Sequence, residues 1–357
     1  MTAPRSAGFA LFAVLVSAAP AAAQVVVKVN EDVNFRFGAL AQFQADWLED
    51  PAADDTQQNL FIRRIRLLFG GQVAKKVTFF IETDAPNLGK TVSGSKEISP
   101  DLIVQDAYGE FAFNHAFAVD FGLMFVPFGR NNIQAAGTLL PIDYGSYTFA
   151  ISAPTESLTG RDTGVQAKGY LLENRLEYRL GAFQGARDAG SHRSFRYTGR
   201  AQYQLLEPEA PGFFYTGTYL GATKVAAVGA AFDTQDDYLA FDADGFVDLP
   251  LGPGALTSLL MYQHLDGDTT FTTLPKQNTI LLEAGYFLRD LRISPVFQFT
   301  RRDMSDTIDG DEYRWSIGVN YWWVRHNANI KAAYGRIEPK NLASQNQFTV
   351  QLQLFYY

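Results

Sequence analysis

The feature that most constrains this chain is a two-residue alternation of apolar and polar side chains that recurs in long runs. The odd positions of the first run are Val33, Phe35, Phe37, Ala39, Ala41, Phe43, Ala45 and Trp47, and most of the even positions between them are polar. Side chains of a β-strand point alternately to opposite faces, so this period predicts a strand with one apolar face. The same alternation returns at residues 195–206 and 346–356.

These runs are longer than the strands of ordinary globular proteins. Such strands commonly have about five or six residues, whereas a tilted strand that crosses a bilayer needs about 9 to 11. Sixteen runs can be counted, near residues 33–47, 59–71, 74–84, 101–113, 115–125, 162–172, 174–184, 195–206, 224–233, 238–249, 255–265, 277–289, 291–302, 311–323, 326–336 and 346–356. Residues 213–217 are a possible additional strand.

An antiparallel sheet of this kind predicts an all-β transmembrane barrel. In hydrocarbon every backbone N–H and C=O group needs a partner, and a sheet meets this demand only when it closes and has no edge. The apolar face then points to lipid, and a lumen enclosed by about sixteen strands is too wide for side chains to fill. Aromatic residues at strand ends, such as Trp315 and Trp323, are typical of the belts at membrane interfaces. Aromatic pairing across the strands of a soluble β-sandwich is the alternative.

The connections between the predicted strands alternate between short and long. This alternation is typical of outer-membrane barrels, which have short periplasmic turns at one end and long outer loops at the other. Residues 207–223 are the exception, because they form a long connection where a turn is expected.

Residues 1–23 carry the pattern of a secretory signal peptide. Arg5 is followed by an apolar run from Ala7 to Ala19 and then by small residues that end at Ala23. This order is typical of a segment that is cleaved after export, and a buried N-terminal helix is the alternative. We therefore assign residues 24–357 to the barrel and expect export to the bacterial outer membrane.

The composition excludes several other classes of protein. The 38 acidic and 30 basic residues give a net charge of −8, which argues against general nucleic-acid binding because phosphates require an excess of Lys and Arg. Beyond the N-terminus, no stretch of about 20 residues is free of charges, as a membrane-spanning helix would require. The chain has no Cys and therefore no disulfides, and its hydrophobic content of 47% argues against disorder.

Charged side chains on the polar faces of the predicted strands are the candidate channel-lining residues. The predicted basic wall consists of Arg64, Arg66, Arg175, Arg179, Arg196 and Arg200. Acidic residues dominate the third to fifth and the tenth strands, so opposed walls would create a field across the lumen, and rows of Arg attract small anions. Alternatively, each Arg pairs with a carboxylate on a neighbouring strand, such as Glu177, and has little effect on selectivity.

The longest connection, residues 126–161, is long enough to fold into the barrel. Long loops without regular structure are commonly functional. This one contains the hydrophobic pair Leu139 and Leu140, which predicts packing against another part of the protein. We expect the loop to narrow the bore, and a surface loop that shields the rim is the alternative.

Several blocks of the sequence together resemble one family. The blocks are FIRRIRL at 61–67, VTFFIETD at 77–84, QDAY at 105–108, GLMFVPFG at 122–129, GRDTGVQ at 160–166 and YRLGAFQG at 178–185. In this order they look like the blocks of the phosphate-selective porin O and P family. The resemblance implies an outer-membrane barrel, usually a homotrimer, that passes small anions such as phosphate along luminal Arg and Lys. Arg64, Arg66 and Arg161 are the positions that match family cations.

The chain departs from this family in the residues that favour phosphate. The family commonly has a Lys two residues before the Pro of the PFG block, where this chain has Phe125, and a pore-lining cluster of Lys is not evident. Cleavage of residues 1–23 removes one cation, Arg5, so the net charge changes from −8 to −9. The sequence therefore predicts a channel for small solutes with a weak preference for anions.

Two other functions compete with this prediction. An enzyme would need a nucleophile and a base within hydrogen-bond reach, and the four His, at positions 115, 192, 264 and 326, occur in no recognisable catalytic spacing. Motifs for a metal ion or a cofactor do not appear either. A non-conducting structural or adhesion barrel would have a lumen plugged with side chains. Arg63, on an otherwise apolar face, is a candidate contact for lipopolysaccharide phosphate or for a neighbouring subunit.

Overall fold

The computed structural model describes residues 25–92, 94–305 and 309–357. The predicted signal peptide, residues 1–23, lies outside the described residues. The long strands are β1 (Asn34–Asp50), β2 (Asp55–Ala74), β3 (Val77–Asp84), β4 (Ile103–Asn114), β5 (Phe117–Phe125), β6 (Arg161–Leu171), β7 (Leu176–Phe183), β8 (Arg196–Gln204), β9 (Val225–Gln235), β10 (Tyr238–Leu251), β11 (Gly254–Asp266), β12 (Gln277–Leu288), β13 (Ile293–Met304), β14 (Glu312–Val324), β15 (Ala328–Pro339) and β16 (Gln345–Tyr356). Three short strands accompany them: Val25–Lys28, which pairs with β1, and the hairpin strands Thr91–Val92 and Ser95–Lys96.

The sixteen long strands form one closed antiparallel barrel. Each pairs with the strands before and after it in the chain, and β16 pairs with β1 from Gln347↔Leu48 to Tyr356↔Ala39. Closure leaves no free sheet edge, which is the condition that lipid imposes. The prediction of a sixteen-stranded all-β barrel is confirmed. Residues 213–217 do not form a strand.

The two faces of the barrel differ in polarity. On β14, Ile317 and Val319 point outward and are 55% and 50% exposed, whereas Asn320 points into the lumen and is 2% exposed. Inward glutamines link β1 and β16, since the side-chain amide of Gln351 donates to Gln44 at 2.8 Å. An apolar exterior and a polar interior are typical of a barrel that has lipid outside and water inside.

The connections differ between the two ends of the barrel. Both described termini lie at the end that we call the turn end, together with the short connections 75–76, 115–116 and 252–253. The opposite end, the loop end, carries the longer connections 85–102, 126–160, 184–195 and 267–276. Residues 205–224 at the turn end break this pattern, as the sequence indicates, because they are long.

Two connections fold into the lumen. Residues 126–160, the constriction loop, contain the short helix Arg130–Ile133 and a 3₁₀ turn at Ala136–Thr138, and Ile133 is completely buried. Residues 205–224, the turn-end segment, enter from the other end, where Tyr215 forms a single parallel bridge with Gln134. The constriction loop therefore lies inside the barrel, as its hydrophobic residues indicate. Within the described ranges, the helices are too short and too polar to cross a membrane.

Apolar packing fixes the constriction loop against part of the barrel wall. Phe128 and Ile151 of the loop join a buried cluster with Tyr238 of β10 and Leu265 of β11. Such burial contributes about 1.5 to 3 kcal/mol for each large side chain. The loop also contacts the wall at β15, where Lys331 donates to its carbonyl oxygens, and cavities remain around the loop tip.

Candidate functional site

The arginine pair on β2 is positioned by a β-bulge. Gln42 of β1 faces Arg64, and the next residue, Phe43, faces Ile62, so Arg63 is the extra residue of the bulge. A bulge turns side chains away from strict alternation. Both guanidinium groups bind the loop-tip carboxylate of Asp143, Arg63 Nε at 2.8 Å and Arg64 Nη2 at 2.6 Å.

The position of Arg63 corrects the interpretation that it points to lipopolysaccharide or to a second subunit. That interpretation assumed unbroken two-residue alternation along β2. Because of the bulge, Arg63 binds Asp143 and lines the same internal cavities as Arg64 and Asp143. A bulge adds one residue without a marked change in composition, so the period alone does not reveal it.

Two more predicted cations face the same space. Arg66 binds the carboxylates of Glu82 at 2.5 Å and of Asp84 at 2.9 Å. Arg161, at the start of β6, binds Asp106 at 3.2 Å. Together with Arg63 and Arg64 they line a cavity of about 500 Å³, which we call the arginine cavity.

Three more predicted cations lie on β7 and β8, where they contact the turn-end segment or the constriction loop. Arg179 binds Glu177 at 2.6 Å, Arg196 binds Asp233, and Arg200 binds Asp244 at 2.6 Å. All three arginines are buried. Arg200 also donates to the loop carbonyl of Phe128 at 3.1 Å, so it anchors the constriction loop.

Arg175 is separate from the other predicted cations. It lies in the turn between β6 and β7, where its Nη1 donates to the carbonyl oxygens of Gln204 at 3.2 Å and of Leu206 at 3.1 Å. These contacts connect two neighbouring turns. The structure therefore places Arg175 at the turn end and outside the arginine cavity.

Sequence reasoning missed the residues that hold the constriction loop in place. Arg130 makes a bidentate ion pair with Glu209 of the turn-end segment, with distances of 2.7 and 2.9 Å, and lies 3.8 Å from the centre of the Phe246 ring. Lys331 of β15 donates to the loop carbonyls of Leu139 and Pro141. The loop shows no two-residue period, so the only available signal was the presence of Arg130 directly after the PFG block.

Asp143 is the charged residue at the loop tip. Burial alone would raise the pKa of its carboxyl group, but Arg63 and Arg64 hold that pKa well below its usual range. The carboxylate is therefore ionised at neutral pH and occupies the β2 arginine pair as a fixed counter-ion.

The loop tip separates the arginine cavity from a second one. This cavity, which we call the β16 cavity, has a volume of about 340 Å³ and lies against β13 to β16 and β1. The two cavities share Arg63, Asp143 and Tyr144 as lining residues. Among the described residues, no three His, Cys, Asp or Glu side chains are arranged to hold a metal ion.

A closed barrel with an apolar exterior, a polar lumen and an inserted loop defines the class of outer-membrane porins. Residues 34–240 match the family described as phosphate-selective porin O and P, which is more than half of the chain. The chain belongs to this family. Its family and its barrel fold point to the bacterial outer membrane. No curated protein matches the sequence.

Several solved structures share the fold at low sequence identity. OmpF of Salmonella typhi, in complex with daunomycin, has a TM-score of 0.63 and 13% identity and covers 93% of this chain and 100% of that chain. The trimer form of OmpT, an outer membrane protein of Vibrio cholerae, has a TM-score of 0.55 and 10% identity, with 91% and 100% covered. The outer membrane channel DcaP of Acinetobacter baumannii has a TM-score of 0.58 and 10% identity, with 92% and 99% covered. These likenesses concern the fold alone.

Proposed function

We propose that the chain forms a water-filled channel for passive diffusion of small solutes, with a weak preference for anions such as phosphate. The observation that carries the proposal is the charge around the loop tip. The arginine cavity is lined by Arg63, Arg64, Arg66 and Arg161 but by only two carboxylates, those of Asp84 and Asp143. Glu82 and Asp106 pair with Arg66 and Arg161 but are not part of the lining, so the cavity surface itself carries more cations than anions and attracts anions.

The preference for anions is weak because the arginines are paired. Arg66 and Arg161 each bind carboxylates of β3 or β4, and the chain as a whole has a net charge of −8. A paired guanidinium presents a smaller field to a passing ion than an unpaired one. In this proposal Arg179 supports the turn-end segment, and Arg196 and Arg200 support the constriction loop. Arg64, Arg66 and Arg161 act on the solute.

The contacts of the four histidines support transport without catalysis. His115 is hydrogen-bonded to Asn174, His192 to Asp236, His264 to Asn278, and His326 to the carbonyl of Thr218. A catalytic base would instead contact a nucleophile. We therefore propose that the protein is not an enzyme.

We further propose a homotrimer in contact with lipopolysaccharide. The trimer form of the Vibrio cholerae protein with the same fold supports the first part. For the second, Arg301 and Arg336 lie on the outward face near the loop end and are paired with Asp303 and Glu338. Phosphate groups of lipid could bind such arginines.

The test is the ion selectivity of single channels in a planar bilayer. Replacing Arg64 and Arg66 together by Ser leaves Asp84 and Asp143 with fewer cationic partners. We therefore expect the reversal potential in a KCl gradient to move toward the value for a cation-selective channel. One charge at about 4 Å contributes about 1 kcal/mol in water, which is about a fivefold change in permeability ratio.

The matched control is the replacement of Arg289 and Arg301, which are exposed and line neither cavity, by Ser. It removes the same charge and should leave the selectivity unchanged. An unchanged reversal potential in the double variant at positions 64 and 66 would remove these residues from the mechanism. Absence of conductance in the unaltered protein would favour the non-conducting structural barrel.

A further inference from the structure

A row of aromatic rings runs along the lumen beside the arginine cavity. The ring centres of Tyr144 and Phe149 are 5.0 Å apart, and those of Phe125 and Phe214 are 5.5 Å apart. Phe149 and Phe214 both pack against the buried cluster that contains Phe125. The row therefore extends from the constriction loop to the turn-end segment.

The row continues to the turn end of the barrel. Phe214 lies 5.4 Å from Phe80, and Phe80 lies 5.5 Å from Tyr357, measured between ring centres. Both contacts are edge-to-face, which is a favoured geometry for aromatic pairs. Phe80 and Phe125 are buried within the row, whereas Tyr144, Phe149, Phe214 and Tyr357 are half-buried and can contact a planar ring.

Each end of the row opens into a cavity that also contains cations. Tyr144 and Phe149 line the arginine cavity, where the four arginines lie. Phe80, Phe214 and Tyr357 line a third cavity of about 410 Å³ at the turn end, together with one cation, Arg36, and one carboxylate, Glu110. Volumes of this size fall within the range of about 300 to 1,000 Å³ that small-molecule sites have.

Phe125 connects the ring row with the charge of the arginine cavity. The guanidinium carbon of Arg161 lies 3.5 Å from the centre of the Phe125 ring. Cations over aromatic faces are held there by the ring quadrupole. Phe125 itself is buried behind Arg161, so the aromatic surface beside a carboxylate bound by the arginines consists of Tyr144 and Phe149.

We propose that the channel binds planar aromatic carboxylates, with the carboxylate on the arginines and the ring against the aromatic row. This proposal deepens the proposed function and rests on it. An inorganic anion uses only the charge of the site, and an aliphatic carboxylate finds no partner for ring stacking. The ring row therefore makes benzoate a better ligand than acetate or phosphate.

The experiment measures block of the chloride current by benzoate, acetate and phosphate in single channels. Benzoate should block at the lowest concentration. Replacing Phe149, which lines the arginine cavity, by Leu should raise the blocking concentration of benzoate about threefold to tenfold and leave that of acetate unchanged, because an aromatic contact is lost. Replacing Phe348, which points outward and is 42% exposed, by Leu is the matched control.

Equal block by acetate or phosphate, or unchanged benzoate block in the Phe149→Leu variant, would overturn the proposal. Calorimetric titration of the purified barrel with benzoate gives an answer that does not depend on conductance. A barrel that conducts but releases no binding heat with benzoate contradicts this inference alone. A barrel that binds benzoate and does not conduct contradicts the proposed function alone.

Discussion

At the scale of single residues, Asp143 acts as an internal anion. Its carboxylate lies where a diffusing anion would be attracted, between Arg63 and Arg64. Charge-assisted hydrogen bonds of this kind are stronger than those between neutral groups. A solute anion that approaches the pair therefore competes with the protein's own carboxylate.

Replacement of Asp143 by Asn tests this competition. The amide keeps the shape of the side chain and removes the charge, so both arginines become available to solute anions. We expect the permeability ratio of chloride to potassium to rise about fivefold, which corresponds to about 1 kcal/mol. Reversal potentials in a KCl gradient measure the change.

Asp303→Asn is the control for this prediction, because Asp303 is paired with Arg301 on the outward face. It should leave the ratio as it is. If Asp143→Asn also leaves the ratio unchanged, Asp143 does not shield the arginine pair from solutes.

At the scale of elements, the turn between β14 and β15 holds the turn-end segment. His326 is hydrogen-bonded to the carbonyl oxygen of Thr218 at 2.9 Å, and Arg325 donates to that of Tyr219 at 3.3 Å. Burial lowers the pKa of His326 to about 4, and the nearby charges of Lys331 and Arg325 act in the same direction. The packed turn therefore contains a neutral imidazole.

Acidification should loosen this contact. A His released from the turn has an ordinary pKa of about 6.5 and gains a proton as the pH falls, whereas the packed His does not until about pH 4. The stability of the packed state is complete above about pH 6.5 and decreases continuously down to about pH 4. Hydrogen exchange of residues 205–224, corrected for intrinsic rates, should therefore become faster over this range.

The variant His326→Gln separates this effect from a general destabilisation of the protein at acidic pH. Glutamine retains a side-chain N–H for the Thr218 carbonyl but does not titrate. In that variant the hydrogen-exchange rate of residues 205–224, corrected for intrinsic rates, should be independent of pH between 6.5 and 4. The same acceleration in both proteins would exclude His326 as its cause.

A second prediction at this scale concerns the ion pair that joins the two inserted connections. Glu209→Gln leaves the buried guanidinium of Arg130 without its carboxylate, and breaking a buried pair in this way costs about 3 to 5 kcal/mol. We expect a lower melting temperature in detergent and a noisier open-channel current. Glu173→Gln, at an exposed turn position, should have neither effect.

The elements themselves were largely predictable from the sequence, but the contents of the lumen were not. Strands such as β10 and β16 follow a strict two-residue period because one face meets lipid and the other faces the lumen. The bulge at Arg63 leaves no compositional trace. Arg175 has the spacing of a lumen residue but falls in a turn. Contacts such as Arg130 with Glu209 join residues that are distant in the chain, and no periodic pattern links them.

At the scale of the whole molecule, the luminal arginines fall into two groups according to what they contact. The constriction loop and the turn-end segment cover Arg179, Arg196 and Arg200, so these cations stabilise the interior. Arg64, Arg66 and Arg161 are buried to a similar degree, but together with Arg63 they line the arginine cavity. Arginine thus has a structural role in the first group and is proposed to act on solutes in the second.

The position of the loop tip affects solutes in both of the cavities that it separates. Asp143 and Tyr144 form a shared partition between the arginine cavity and the β16 cavity. Because hydrogen bonds fix the barrel wall, a displacement of Asp143 and Tyr144 that enlarges one cavity makes the other smaller. A solute in either cavity therefore meets the same two side chains, and a substitution of Asp143 or Tyr144 changes the lining of both cavities at once.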